Sequence, residues 1–153
     1  MFKGINVNET KKIVLKSDPD PANPTVFHIG VLDQVISGYI EDESTVFDFA
    51  PQNEISQEAP AGEPREATVR VRIQYARRNL LMIKFGVRKI ENYFDPKQEK
   101  AVTIDAEPVK IYGSEYMTLP DEVIRGFQLR GGTAELADEI RKINGLSEEE
   151  AKN

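Results

Sequence analysis

The sequence has no cysteine, no tryptophan and a single histidine, His28. Without cysteine there is no disulfide, thiolate nucleophile, thiolate zinc site or iron–sulfur cluster, and a single histidine excludes a multi-histidine metal site. A Ser-His-Asp triad would have to use His28. Because this residue lies in the apolar run Val-Phe-His-Ile, we expect a half-buried strand histidine rather than a catalytic base.

Long apolar runs are also missing. No stretch approaches the roughly 18 apolar residues of a membrane-spanning helix. The opening residues, Met-Phe-Lys-Gly-Ile-Asn, lack the apolar core of a signal peptide. We therefore expect a protein that is made in the cytoplasm and has no membrane partner.

Recognisable catalytic and cofactor motifs are absent as well. There is no glycine-rich phosphate loop, and the acidic turn at Asp18 and Asp20 lacks the glutamate that closes a calcium-binding EF-hand loop. No carboxylate pair lies in an apolar context that would raise its pKa. We expect no catalytic residue, no cofactor, no bound metal and no small-molecule substrate. A small enzyme or nucleotide-binding module with a carboxylate site stays as the alternative.

What the chain does contain is charge, and it is segregated. The 153 residues carry a net charge of -6. Residues 41–63 contain seven acidic side chains and no basic one, whereas residues 65–89 contain eight basic side chains and one acidic. Each block is either a solvated face or a surface that meets opposite charge, within the chain or between copies.

The first forty residues predict a β-rich part. Two β-branched runs, Thr10–Lys16 and Thr25–Leu32, flank a proline-rich turn and predict an antiparallel hairpin with a long loop. Asp33 is placed to cap a following helix. The acidic arm, residues 41–64, is rich in proline and predicts a linker that extends from the body. Val46, Phe47, Phe49 and Ile55 are apolar anchors by which it would either contact another subunit or pack on its own domain.

A long central helix is expected from Pro64 onward. Its apolar seam repeats at spacings of four and three and consists of Val69, Ile73, Ala76, Leu80, Ile83, Val87 and Ile90. On one flank lies a basic stripe, which we define as Arg70, Arg77, Lys84 and Arg88. Alternation of Val69, Val71, Ile73 and Tyr75 also fits a strand at the start, and Gly86 is expected to end or bend the helix.

The remaining sequence completes a prediction of the α+β class. Residues 91–119 indicate short strands and turns that form a small hairpin. Two C-terminal helices are expected, over Asp121–Leu129 and Ala134–Asn144, the second ending at Gly145. The division is then a β-rich part over 1–40, the acidic arm over 41–64 and an α+β part over 65–153, forming one domain with an extended arm.

The candidate interaction residues combine the basic stripe and the anchors of the arm. They are Arg70, Arg77, Lys84, Arg88, Phe47 and Phe49. Nucleic-acid binding through the stripe is disfavoured, because the chain is acidic overall and only Tyr75 is interleaved with the arginines.

One stretch resembles a known family. Arg77-Arg78-Asn79, followed by Lys-Phe-Gly-Val-Arg-Lys-Ile-Glu-Asn-Tyr-Phe over 84–94, is similar to a pattern in small proteins of tailed bacteriophages. The opening run over 23–30 and the ending over 143–153 are similar to the same group. Ile90 departs from the pattern, which has an aromatic residue there.

The resemblance implies a morphogenesis or virion protein of the tail, neck or capsid that binds other phage structural proteins and copies of itself. It would act in the host cytoplasm during assembly and be retained in the virion. A tail-assembly chaperone that leaves the particle and a small phage regulatory protein that binds nucleic acid are the alternatives.

Overall fold

The computed structural model describes residues 1, 4, 6–49, 69–127 and 131–145. Within these ranges the strands are β1 (Thr10–Val14), β2 (Val26–Gly30), β3 (Thr45–Phe49), β4 (Val69–Ile73), β5 (Val87–Asp95), β6 (Lys100–Asp105), β7 (Glu107–Ile111) and β8 (Ser114–Thr118). The helices are α1 (Gln34–Ser44), α2 (Tyr75–Gly86), α3 (Asp121–Gly126) and α4 (Gly132–Ile143). The α+β class is confirmed. None of these four helices is long and apolar enough to cross a membrane.

A four-stranded antiparallel sheet with the order β1-β2-β5-β6 carries the core. The predicted N-terminal hairpin is confirmed as β1 and β2. One row of cross-strand neighbours, Ile13, Phe27, Ile90 and Ile104, faces the helices. Because side chains alternate along a strand, the adjacent row faces the opposite side. It consists of Lys12, His28, Lys89 and Asp105.

His28 is the half-buried strand histidine that the sequence predicts. Its Nε2 atom lies 3.1 Å from Glu91 Oε2, although the ring nitrogen is without a hydrogen-bond partner of good geometry. Contact with the imidazole, more than the nearby lysines, lowers the pKa of Glu91. His28 is therefore part of a polar sheet face.

A bulge in β5 fastens the proline-rich loop. Asn92 has a φ of 57°, a left-handed conformation that asparagine tolerates better than most residues. Its side-chain amide donates to the carbonyls of Asn23 and Pro24 at 2.9 and 3.2 Å, and its own carbonyl accepts from Thr25 Oγ1. The bulge thus fixes the connection between β1 and β2.

Helices α2 and α4 approach closely on the inner face of the sheet. A Cβ atom added to Gly86 would lie 2.8 Å from Ile140 Cγ2 and 2.9 Å from its Cδ1. Ile83, Leu136 and Ile140 are fully buried in the same layer. Glycine at the end of α2 is therefore what permits this helix–helix distance.

Helix α4 also ties down both ends of the N-terminal hairpin. Glu135 accepts from the backbone N–H of Lys16 at 2.5 Å and from the hydroxyl of Ser17 at 2.8 Å. Near the other end of the helix, Asn144 Oδ1 accepts from the Leu32 N–H at 2.7 Å. The backbone N–H of Lys16, followed by the Ser17 hydroxyl, lowers the pKa of Glu135.

The prediction of one long central helix is wrong at both ends. Residues 69–73 form strand β4, which the alternative interpretation anticipated, and Val87 begins strand β5. The helix is limited to Tyr75–Gly86, and Gly86 ends it as predicted. Val87 and Ile90 are buried within a central strand. A run of β-branched residues is compatible with a strand as well as with a helix. Pairing with neighbouring strands therefore determines which of the two forms here.

The other boundaries differ in detail. Residues 41–44 are the last turn of α1, capped at its start by Asp33 as predicted, and Thr45–Phe49 pair with β4, so this half of the acidic arm is not a linker. Residues 50–64 lie outside the described ranges. Helix α3 ends at Gly126, short of the predicted Leu129. Strands from the 1–40 and 65–153 parts share one sheet through β2 and β5.

The α2–α4 contact generates a test with a matched control. Gly86→Ala should lower the free energy of unfolding by about 1–3 kcal/mol, because the added methyl group overpacks against Ile140. Gly38→Ala in exposed α1, where nothing lies within 4 Å of the added atom, should instead raise it by about 0.5–1 kcal/mol. Urea unfolding measures both. Stabilisation by both substitutions would contradict the close contact.

The Glu135 anchor predicts a pH dependence. A lowered folded-state pKa adds stability above the ordinary value of 4.5 and loses it as the pH falls through the lower folded value. Glu135→Gln should therefore be less stable than wild type at pH 7, and the gap should close on acidification. Glu122→Gln, at an exposed carboxylate, is the control. A gap that persists unchanged at pH 3 would refute the anchor.

Candidate interaction surface

Strands β3 and β4 form a two-stranded hairpin that continues directly from two helices. Helix α1 passes into β3 at Thr45, and β4 passes into α2 at Gln74. The base is closed by a hydrogen bond from the Gln74 N–H to the Ser44 carbonyl at 2.8 Å. Ser44 is buried, and its hydroxyl donates to the Ile40 carbonyl at 2.6 Å. The hairpin is thus anchored at its base.

One face of this hairpin is apolar and open to solvent. The register pairs Phe47 with Val71, Phe49 with Val69 and Thr45 with Ile73, which places these side chains on one side. Phe47 is 60% exposed, Phe49 71% and Val71 62%. We call Phe47, Phe49, Val69, Val71 and Ile73 the apolar hairpin face. Large apolar side chains are usually buried, either in a hydrophobic core or in an interface with another molecule.

The opposite side carries charged side chains together with Val46, which lies across from Arg72. Asp48 lies directly across from Arg70, and Arg72 Nε lies 3.7 Å from Asp48 Oδ2. We call Asp48, Arg70 and Arg72 the polar hairpin face. Its two arginines share one aspartate, so the face carries a net positive charge.

Ion pairs join α1 and α2 below the hairpin. Arg77 Nη2 lies 3.0 Å from Glu43 Oε2, and Arg78 Nη2 lies 3.4 Å from Glu41 Oε1. Acidic side chains at the end of a helix and basic ones at its start both oppose the helix dipole. The attraction between opposite charges on the two helices nevertheless favours their pairing. The acidic and basic blocks of the sequence meet here within one chain.

The rest of the basic stripe lies elsewhere. Lys84 Nζ contacts Asp121 Oδ1 at 2.6 Å, and this hydrogen bond lowers the pKa of Asp121. Arg88, on β5, donates to the carbonyls of Val31 and Met117 at 3.0 and 3.1 Å. Burial lowers the Arg88 pKa, and the Asp33 carboxylate opposes that shift.

The prediction that the basic stripe occupies one helix flank is therefore wrong. Arg70 is on β4, Arg77 and Lys84 are on α2, and Arg88 is on β5. The structure brings Phe47, Phe49 and Arg70 together on the hairpin, with Arg77 at its base. Lys84 and Arg88 hold other parts of the fold.

Two cavities offer little chemistry. A cavity of about 300 Å³ lies beside Arg88, Asp33 and Tyr116, where the guanidinium is already bound to backbone carbonyls. A second, of about 700 Å³, is lined by aromatic side chains that include Phe27 and Tyr93. In the described ranges no group of three or more histidine, aspartate or glutamate side chains is placed to hold a metal ion.

Comparison of the chain with protein-family models, curated proteins and solved structures finds no match.

The sequence predicts the two phenylalanines as contact residues, whereas the other half of the surface follows only from the alternative interpretation of residues 69–75 as a strand. Val69 and Ile73 were assigned to a helical seam, whereas they complete the apolar hairpin face. The signal was the strict alternation Val-Arg-Val-Arg-Ile over 69–73, which is the pattern of an amphipathic strand. Phe-Asp-Phe over 47–49 carries the matching alternation on β3.

Because the apolar hairpin face is exposed, shortening its phenylalanine side chains should have little effect on the free energy of unfolding. Phe47→Ser with Phe49→Ser should reduce binding of a hydrophobic fluorescent dye and change unfolding free energy by less than about 1 kcal/mol, since the rings contribute little to the core. Phe27→Ser, at a fully buried ring, should cost about 3–5 kcal/mol. Both are measured on dilute protein. Equal destabilisation by the two changes would place the hairpin phenylalanines in the core.

Proposed function

We propose that the chain is a non-enzymatic structural or assembly protein of tailed bacteriophage particles that acts through protein–protein contacts. Its partners are other phage structural proteins and copies of itself, in the host cytoplasm during assembly and then in the virion. It needs no cofactor, metal or small-molecule substrate for this role.

The apolar hairpin face is the observation that carries the proposal. A two-stranded hairpin is marginally stable alone, and exposed apolar patches on the order of a few hundred Å² mark interaction sites. This hairpin exposes two phenylalanines and three aliphatic residues on one side. An exposed apolar surface of this kind is suited to contact with another protein.

The assignment to phage particles rests on the resemblance in sequence. In the structure the residues of that motif hold the fold. Gly86 permits the α2–α4 contact, Asn92 fixes the β1–β2 loop and Arg77 joins α1 to α2. These contacts explain the motif through the fold of the chain, and the assignment to phage particles rests on the resemblance alone.

The placement of the basic residues favours a protein partner over nucleic acid. Arg77, Arg78 and Lys84 each pair with a carboxylate of the same chain. Residues that bind phosphates form a continuous positive patch. The basic stripe is instead divided among several contacts within the fold.

Deletion of the gene from the phage that encodes it tests the proposal. We expect loss of infectious particles, rescue by a plasmid copy of the wild type or of the exposed control Tyr112→Ser, and no rescue by Phe47→Ser with Phe49→Ser. Mass spectrometry of purified particles then distinguishes a virion component from a chaperone that leaves. A normal yield of infectious, fully assembled particles without the gene would contradict the proposal.

A further inference from the structure

We propose that the hairpin binds a second copy of this chain side by side, with β3 of one copy next to β4 of the following copy. The proposal rests on the proposed function and deepens it, since it names one partner and the surface that binds it.

The open edges of the hairpin are the first argument. Among the described strands, β3 and β4 pair only with each other, so each has one side free of a strand partner. Free strand edges expose backbone N–H and C=O groups and act as templates for pairing with another chain. Neither strand contains a proline that would block such pairing.

Charge selects which edges meet. Strand β3 carries Asp48, whereas β4 carries Arg70 and Arg72. Pairing β3 with β3 would join two acidic edges and pairing β4 with β4 two basic edges, so both arrangements bring like charges together and are unfavourable. Pairing β3 with β4 repeats between copies the arrangement found inside the hairpin. The two arginines of each β4 then lie between two aspartates, Asp48 of the same copy and Asp48 of the next.

The apolar hairpin face is continuous in this arrangement. Hairpins that point the same way pair antiparallel, so Phe47 and Phe49 of one copy lie beside Val69 and Val71 of the next. The segment between the strands, residues 50–68, contains one large apolar side chain, Ile55.

The contact uses different surfaces on the two copies, so it repeats. Such heterologous contacts form a ring when the rotation closes and a filament when it does not. In a closed ring of hairpins whose apolar hairpin faces point inward, these faces are removed from water and every strand edge is paired. The charged side chains then face solvent.

Charge reversal with rescue by a second variant tests the contact. Asp48→Arg gives copies with two positive edges, and Arg70→Asp with Arg72→Asp gives copies with two negative edges. Neither variant should associate alone, whereas an equimolar mixture should form oligomers as the wild type does. Sedimentation velocity of the full chain over a hundredfold range of concentration measures this. Reversal of Lys110 and Glu115, an exposed opposite pair on β7 and β8, is the control and should leave association unchanged.

Cysteine cross-linking identifies the edges, since the chain has no cysteine of its own. Oxidation should link Asp48→Cys copies to Arg70→Cys copies in a mixture and link neither variant to itself. A monomeric wild type, oligomers that persist in both reversed variants, or the absence of a cross-link between Asp48→Cys and Arg70→Cys copies would overturn the proposal. A monomer in solution that is nevertheless found in particles would overturn this contact and leave the proposed function standing.

Discussion

The antiparallel pairing of β2 with β5 is the contact on which the rest of the structure depends. It joins Phe27 to Ile90, two of the most buried side chains, across a long stretch of sequence. The chain that leaves the sheet at Gly30 must return to the neighbouring strand at Val87. The described elements between these two residues, α1, β3, β4 and α2, lie outside this sheet.

The order of these four elements explains where the interaction surface lies. Helix α1 leads from the sheet to β3, and α2 leads from β4 back to the sheet; the two helices are about 16 and 18 Å long. Ion pairs of Glu43 with Arg77 and of Glu41 with Arg78 hold α1 and α2 together, although each of these charges opposes the dipole of its own helix. Exposed pairs of this kind contribute about 0–1 kcal/mol each. Core packing determines where α1 and α2 lie, and the ion pairs align the ends of the two helices.

Local signals predicted the parts of the fold that local interactions determine. The N-terminal hairpin, the Asp33 cap and the glycine at 145 with its positive φ follow from turn and capping chemistry. Residues 69–90 fit a period of 3.6 and a period of 2 at once, so only pairing with β3 and β2 decides between helix and strand. Phe47 and Phe49 were recognisable as anchors, but Val69, Val71 and Ile73 join them only through the β3–β4 register. The carbonyl contacts of Arg88 are nonlocal and left no trace in the sequence.

The central claim is that the β3–β4 hairpin is covered by other copies of the chain. Amide hydrogen exchange tests it most directly when the same protein is compared at low and at high concentration. We expect the amides on the open edges of β3 (Thr45–Phe49) and β4 (Val69–Ile73), which point away from the partner strand, to exchange rapidly in dilute protein and to become protected on concentration, while those of the edge strand β6 do not change. Rapid exchange in both hairpin strands at every concentration would contradict it.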